Sequence, residues 1–240
     1  MNVNNFIKKM AFKYRDNIIA KVLIRPFYRM KVNSEMKKRR NLYLQNAYLL
    51  LFQLKKILDD ANILFWLDFG TLLGAYRDHD FIKHDLDLDI GVFYTDSDRV
   101  KKALINNGFN IIREFRVNSE IYQGLEQTYC FAGVTVDVFY YHMKNDKMYC
   151  NTFSPFMDEY RDMSIFQVKE IILPYNGFDK MIFKGLEVVI PAKTDSHLSA
   201  HYGKNFMIPN ANFDYRKEAT NIHWFSREEY TGTLESYEVV

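Results

Sequence analysis

The sequence predicts an α/β or α+β unit over residues 33–240, preceded by a basic amphipathic helix in residues 1–32. Three observations predict it. Apolar residues recur at three- and four-residue spacing through the first sixty positions, later segments alternate with period two between Gly-containing turns, and no repeat, low-complexity tract or linker divides the chain. A chain of 240 residues, 48% hydrophobic and 26% charged, buries roughly 70–75% of its unfolded surface, so its core needs neither disulfides nor a structural metal. Collagen-like, mucin-like and disordered classes are excluded by that composition.

From the N-terminus, Phe6, Ile7, Met10, Ala11, Tyr14, Ile18 and Val22 form one helical stripe that Pro26 is expected to end. Asn33 or Ser34 then caps a second, core-packing helix whose stripe includes Leu42, Leu44, Ala47, Tyr48, Leu51, Leu54 and Leu58. Ile63 to Leu67 reads as a strand, Gly70-Thr71 as a turn and Leu72 to Arg77 as a short helix. Asp85 to Phe93 alternates acidic and apolar residues as a half-buried strand does. A helix is expected from Asp98 to Asn107, stopped by Gly108, and a strand from Phe109 to Ile112. Tyr129 to Tyr141 reads as one long strand. Shorter strands follow at 147–153, 171–175, 181–184 and 186–190, and a helix from Asp195 to Tyr202 ends at Gly203.

Charge is uneven. Residues 1–40 hold twelve Lys or Arg against two acids, whereas the other 200 hold 20 basic and 28 acidic groups. The basic helix fits either docking on its own domain or contact with an anionic membrane surface. Nucleic acid is not an expected partner, because no binding motif accompanies the charge and the remainder is acidic. Cys130 and Cys150 are too few for a disulfide framework, no apolar run approaches a membrane span and the N-terminus lacks signal-peptide form, so a cytoplasmic location is expected.

The chemistry concentrates in Asp85, Asp87 and Asp89, which alternate with Leu86, Leu88 and Ile90. On a strand the carboxylates share one face and the apolar residues the other. Carboxylates so close repel unless a cation lies between them, and hard oxygen donors favour Mg²⁺ or Mn²⁺. A calcium loop is excluded, since Ile90 and Asp96 stand where it needs Gly and Glu. Asp137 sits inside the apolar run Val134 to Phe139, where a carboxylate is costly unless paired or ligated. Gly70-Thr71, between a strand and a helix, offers backbone N–H groups to a phosphate.

Phe69-Gly70-Thr71-Leu72-Leu73-Gly74-Ala75-Tyr76-Arg77-Asp78-His79-Asp80-Phe81-Ile82, followed by His84-Asp85-Leu86-Asp87-Leu88-Asp89-Ile90-Gly91, closely resembles the signature of the LicD/fukutin phosphotransferase family. Asp137 and the segment His201-Tyr202-Gly203 with Pro209 extend the resemblance in looser form over residues 40–215. It implies a nucleotidyltransferase-like fold, a mixed β-sheet flanked by helices. It further implies metal ligation and catalysis by Asp87, Asp89 and Asp137, and substrate contact by Gly70, Thr71, Arg77, Lys83, His84 and Asp85. Lys83 stands where many members have Pro, and Leu86 replaces an acid of the more acidic version.

The implied reaction is Mg²⁺- or Mn²⁺-dependent transfer of phosphocholine, glycerol phosphate or ribitol phosphate from a CDP-linked donor to a glycan hydroxyl. The implied setting is capsule or lipopolysaccharide synthesis, with a lipid-linked acceptor and the protein peripheral on the inner membrane face. Asp137 or Asp85 is the candidate general base, and Tyr202, His223 and Trp224 are candidates for an acceptor or base pocket. A D-x-D glycosyltransferase using a nucleotide sugar, a nucleotidyltransferase acting on a small molecule and a non-catalytic domain of the same fold are the competing classes.

Overall fold

In the computed structural model the described residues are 25–156, 164–210, 213 and 218–237, with the side chains of 25–28 set aside. The apolar stripe expected between Phe6 and Val22 lies outside them. Helix α1 (Arg25–Asp60) runs through Pro26, Asn33 and Ser34 without the expected connection. Residues 29–40 of this helix are exposed apart from the half-buried Val32, so this stretch carries no core-facing stripe. The inner face of α1 buries Tyr43, Ala47, Leu50, Leu51, Leu54 and Leu58. Leu44 and Tyr48, expected in that stripe, instead point outward.

Strand β1 (Phe65–Leu67) leads into a five-residue helix α2 (Phe69–Leu73), which continues as a wider turn over Gly74–Asp78. Gly70 and Thr71 therefore lie in the first turn of a helix rather than in a turn before one. Strand β2 (Asp87–Phe93) pairs antiparallel with β1, and helix α3 (Ser97–Asn106) follows.

The segment expected as one strand from Tyr129 to Tyr141 is a hairpin: β4 (Leu125–Phe131) and β5 (Val134–Lys144), joined by Ala132 and Gly133 at φ +51° and +78°. Two successive positive φ values are what a tight hairpin turn needs, and the unbroken apolar run Tyr129 to Ala132 hides that the core-facing positions switch from odd (Leu125, Tyr129) to even (Val134, Val136, Val138) numbers across it. With β3 (Asn110–Val117), β6 (Lys147–Pro155), β7 (Phe166–Pro174) and β11 (Thr231–Ser236), these strands close a ring. The pairings β3·β4, β4·β5, β5·β6, β6·β7, β7·β11 and β11·β3 are all antiparallel. Phe115 stacks on Phe153 and meets Phe166 edge-on, joining β3, β6 and β7.

Outside the ring, β2 joins β5 in parallel, so the sheet is mixed and nine-stranded. The hairpin of β8 (Phe178–Phe183) and β9 (Leu186–Pro191) and helix α4 (Thr194–Tyr202) cover the region around β1, while β10 (Ile222–Trp224) lies on β7. Leu88, Ile90, Val136 and Val138 bury one face of the β2–β5 pair in a core shared with α1 and α3. Gly91 is required where Trp66 crosses β2, since a Cβ there would lie 2.2 Å from the indole. Cys130 and Cys150 are free thiols.

Candidate active site

The parallel register of β2 and β5 sets Asp89 opposite Asp137 and Asp87 opposite Thr135. Because paired residues share a face, all three acids project from the side opposite Leu88 and Val136. The antiparallel register of β4 adds Thr128 beside Asp137, whose Oδ1 accepts the Thr128 hydroxyl at 2.5 Å.

Helix α2 closes one side of this face. Its cap, Asp68, donates its backbone N–H to the Asp89 carbonyl at 3.1 Å, and its carboxylate accepts from Phe69 N–H at 2.9 Å and from the Tyr141 hydroxyl at 2.6 Å. His197 Nε2 stands 3.4 Å from the same buried carboxylate. Thr71 Oγ1 accepts the backbone N–H of Asp89 at 2.8 Å. Gly70 N–H, expected to face a phosphate, instead donates to Asp89 Oδ2 at 3.0 Å. A Cβ on Gly70 would lie 2.9 Å from Asp85 Oδ2 and 3.2 Å from Asp89 Oδ2, so this glycine gives both carboxylates room.

Asp85 precedes β2 rather than lying within it, yet it meets the same face. Burial pushes its carboxyl up to about 6, opposed by the Arg77 charge. Burial and then Asp137 push Asp87 up to about 7. Asp89 is raised by burial and by Asp87, Asp137 and Asp85, and Asp137 by burial against the lowering influence of Arg113 and Thr128. Burial is the largest cause in each case, and at Asp87 and Asp89 the neighbouring acids add to it.

Of the other expected contacts, Arg77 lies near Asp85 but is bound to Asp78 through two 2.8 Å hydrogen bonds. Lys83 and His84 are exposed before β2, and their charges act on Asp80 and Asp78. Tyr202 is pushed up by burial and by the nearby Asp89, Asp68 and Asp85, whereas His223 and Trp224 are separate from it on the exposed strand β10. Residues not singled out by any motif also serve the face. Arg113 Nη2 lies 3.6 Å from Asp137 and 3.0 Å from Thr128 Oγ1, Arg39 of α1 acts on Asp87 and Asp137, and Glu126 neighbours Thr128 on β4. Burial and Asp137 raise Glu126 to about 8.

The donor set fits a hard divalent cation. It is all oxygen, its charges are unbalanced, and Asp85 Oδ2, Thr135 Oγ1 and Glu126 Oε2 are buried without a hydrogen-bond partner. As the side chains stand, no group of three or more His, Cys, Asp or Glu among the described residues is placed to hold a metal ion. Mg²⁺ does not require such a group, since substrate phosphates and water ordinarily complete a shell begun by one or two carboxylates.

The family model for the LicD/FKTN/FKRP nucleotidyltransferase domain matches residues 62–193, more than half of the chain and the stretch from β1 to β9. A human protein described as ribitol-5-phosphate transferase FKTN is 26% identical over 176 residues, covering 70% of this chain and 34% of its own length. An uncharacterised protein of Rickettsia typhi is 28% identical over 108 residues, covering 43% of this chain and 35% of its own. The chain thus spans about a third of the length of the curated relatives it matches. Among solved structures, ANT(2″)-Ia in complex with adenylyl-2″-tobramycin superposes with a TM-score of 0.41 at 10% identity, over 70% of this chain and 81% of its own.

Proposed function

The chain belongs to the LicD/FKTN/FKRP nucleotidyltransferase-domain family, and from that premise we propose that it is a phosphotransferase moving a substituted phosphate from a CDP-linked donor to a glycan hydroxyl. The transferred group is of the ribitol phosphate, glycerol phosphate or phosphocholine type, and the acceptor is a lipid-linked precursor of a cell-surface polysaccharide or lipopolysaccharide. The observation carrying this reading is the register of Asp89 against Asp137, with Asp87 and Asp85 on the same rim.

Two of the three carboxylates Asp87, Asp89 and Asp137 would begin a Mg²⁺ or Mn²⁺ shell that the donor diphosphate and water complete, and the ion would neutralise charge shifting to the leaving CMP. Gly70 and Thr71 position Asp89 through its carboxylate and backbone. Arg77, near Asp85, and Lys83 and His84, exposed before β2, are the contacts proposed for the donor phosphates, and Arg113 adds a guanidinium beside Asp137. Asp85 is the better general base of the two candidates, because its Oδ2 has no partner whereas Asp137 Oδ1 is engaged by Thr128. The acceptor hydroxyl gives its proton to Asp85, its oxygen bonds to the distal phosphorus, and the phosphoanhydride bond to CMP breaks.

The test is incubation with CDP-ribitol, CDP-glycerol and CDP-choline, each with Mg²⁺ and a glycan acceptor, followed by mass spectrometry. CMP release with a matching mass gain on the acceptor is expected. Release of UDP from a UDP-sugar without any CMP would assign a glycosyltransferase, and pyrophosphate released from a nucleoside triphosphate a nucleotidyltransferase.

A further inference from the structure

We propose that the outer face of α1 is a docking surface for an anionic lipid bilayer. Leu44, Tyr48 and Phe52 follow one another at four-residue spacing, which sets them in a row along the helix, and they are 47%, 48% and 41% exposed. Leu49 widens the row, and Tyr48 and Phe52 stack at 6.4 Å. These are large apolar side chains on the side of α1 opposite Tyr43, Leu50 and Leu54, which face the core.

The occupant follows from charge. On a helix of 3.6 residues per turn, Lys37, Lys38 and Lys56 project from the same side as this row, and all three are exposed. Helix α1 carries nine Lys or Arg against Glu35, Asp59 and Asp60, and Asp59 is paired with Lys55. A second copy docking through the same face would bring like charge against like. Apolar and cationic groups on one side of a helix are satisfied together where hydrocarbon borders a layer of anionic phosphates. Docking this face also leaves the acids accessible, because they act on Tyr43 from the inner side of α1.

The surface stands independently of the transfer reaction. The full-length chain is sedimented with phosphatidylcholine vesicles containing or lacking phosphatidylglycerol, alongside a Tyr48→Ser/Phe52→Ser variant and a Lys37→Glu/Lys38→Glu variant. Sedimentation is expected only with the anionic vesicles, and each variant is expected to lower partitioning by about tenfold or more. Transfer to a water-soluble acceptor is expected to be unchanged in both, which separates this surface from the proposed chemistry. Equal sedimentation of the variants and the parent chain, or no sedimentation of the parent, overturns the proposal. A concentration-dependent dimer abolished by Tyr48→Ser/Phe52→Ser also overturns it, assigning the face to a second copy.

Discussion

Asp89 of β2 and Asp137 of β5 stand opposite one another across a parallel strand pair, each held by one donated hydrogen bond, from Gly70 N–H and from the Thr128 hydroxyl. Two buried carboxylates in that relation oppose each other's ionisation, so each is better suited to ligation than to packing.

Asp89→Asn and Asp137→Asn keep the shape and one acceptor oxygen while removing the charge. Each is expected to lower transfer by about 10²–10³-fold, the range for loss of one preorganised electrostatic group. Without added metal, neither is expected to lower the melting temperature at pH 8, since each relieves repulsion. Turnover assays and thermal melts on the same samples check both outcomes.

Asp137 was legible because a lone carboxylate interrupts an alternating apolar run, and Asp87 and Asp89 because their spacing matches the strand period. The hairpin at Ala132 and Gly133 was not, since the unbroken apolar run from Tyr129 to Ala132 hides the change of parity between Leu125 and Tyr129 before the turn and Val134, Val136 and Val138 after it. Arg113 carries no motif and reaches Asp137 only through the long-range pairing of β3 with β4, where a register shift falls between Ile111 and Arg113. Strand β11 buries only Gly232, so no apolar pattern announces it. Leu44 and Tyr48 failed in the opposite sense: their spacing is that of a core stripe, but no element among the described residues packs over them.

A pH dependence follows from the raised carboxyls. Asp85 and Asp87 rise from an ordinary 3.8 to about 6 and about 7 in the folded chain. The folded state therefore binds more protons than the unfolded state between those limits, and stability falls as pH rises through them. Without divalent cations, the melting temperature is expected to be higher near pH 5 than near pH 8. Mg²⁺ is expected to recover stability at pH 8 and to do little at pH 5. Equal melting temperatures at pH 8 with and without Mg²⁺ would remove the metal from the site.

Gly70→Ala tests carboxylate placement without removing a charge. The new Cβ would press on Asp85 Oδ2 and Asp89 Oδ2, both ends of side chains that can turn aside. Turnover is expected to fall about tenfold or more, because displacement of reacting groups by about 1 Å is costly. Stability is expected to change by less than about 1 kcal/mol, since alanine also favours the helix. A urea titration beside the turnover assay distinguishes the two effects.

The final prediction concerns Asp68, which is buried beneath the site and faces no substrate. Its carboxylate caps α2 through Phe69 N–H, accepts the Tyr141 hydroxyl and lies against His197, while its backbone N–H holds the Asp89 carbonyl. Asp68→Ala removes the cap, worth about 1 kcal/mol, and takes from the buried Tyr141 hydroxyl its carboxylate acceptor, leaving it only Cys150, at a further 1–3 kcal/mol or so. A loss of about 2–4 kcal/mol in unfolding free energy is expected. Asp68→Asn retains an acceptor for Phe69 N–H, so its loss is expected to be smaller. Tyr141→Phe, which removes the hydroxyl while leaving the cap, isolates the second contribution. If Asp68→Ala unfolds at the same urea concentration as the parent chain, the buried network does not support the helix that carries Gly70 and Thr71.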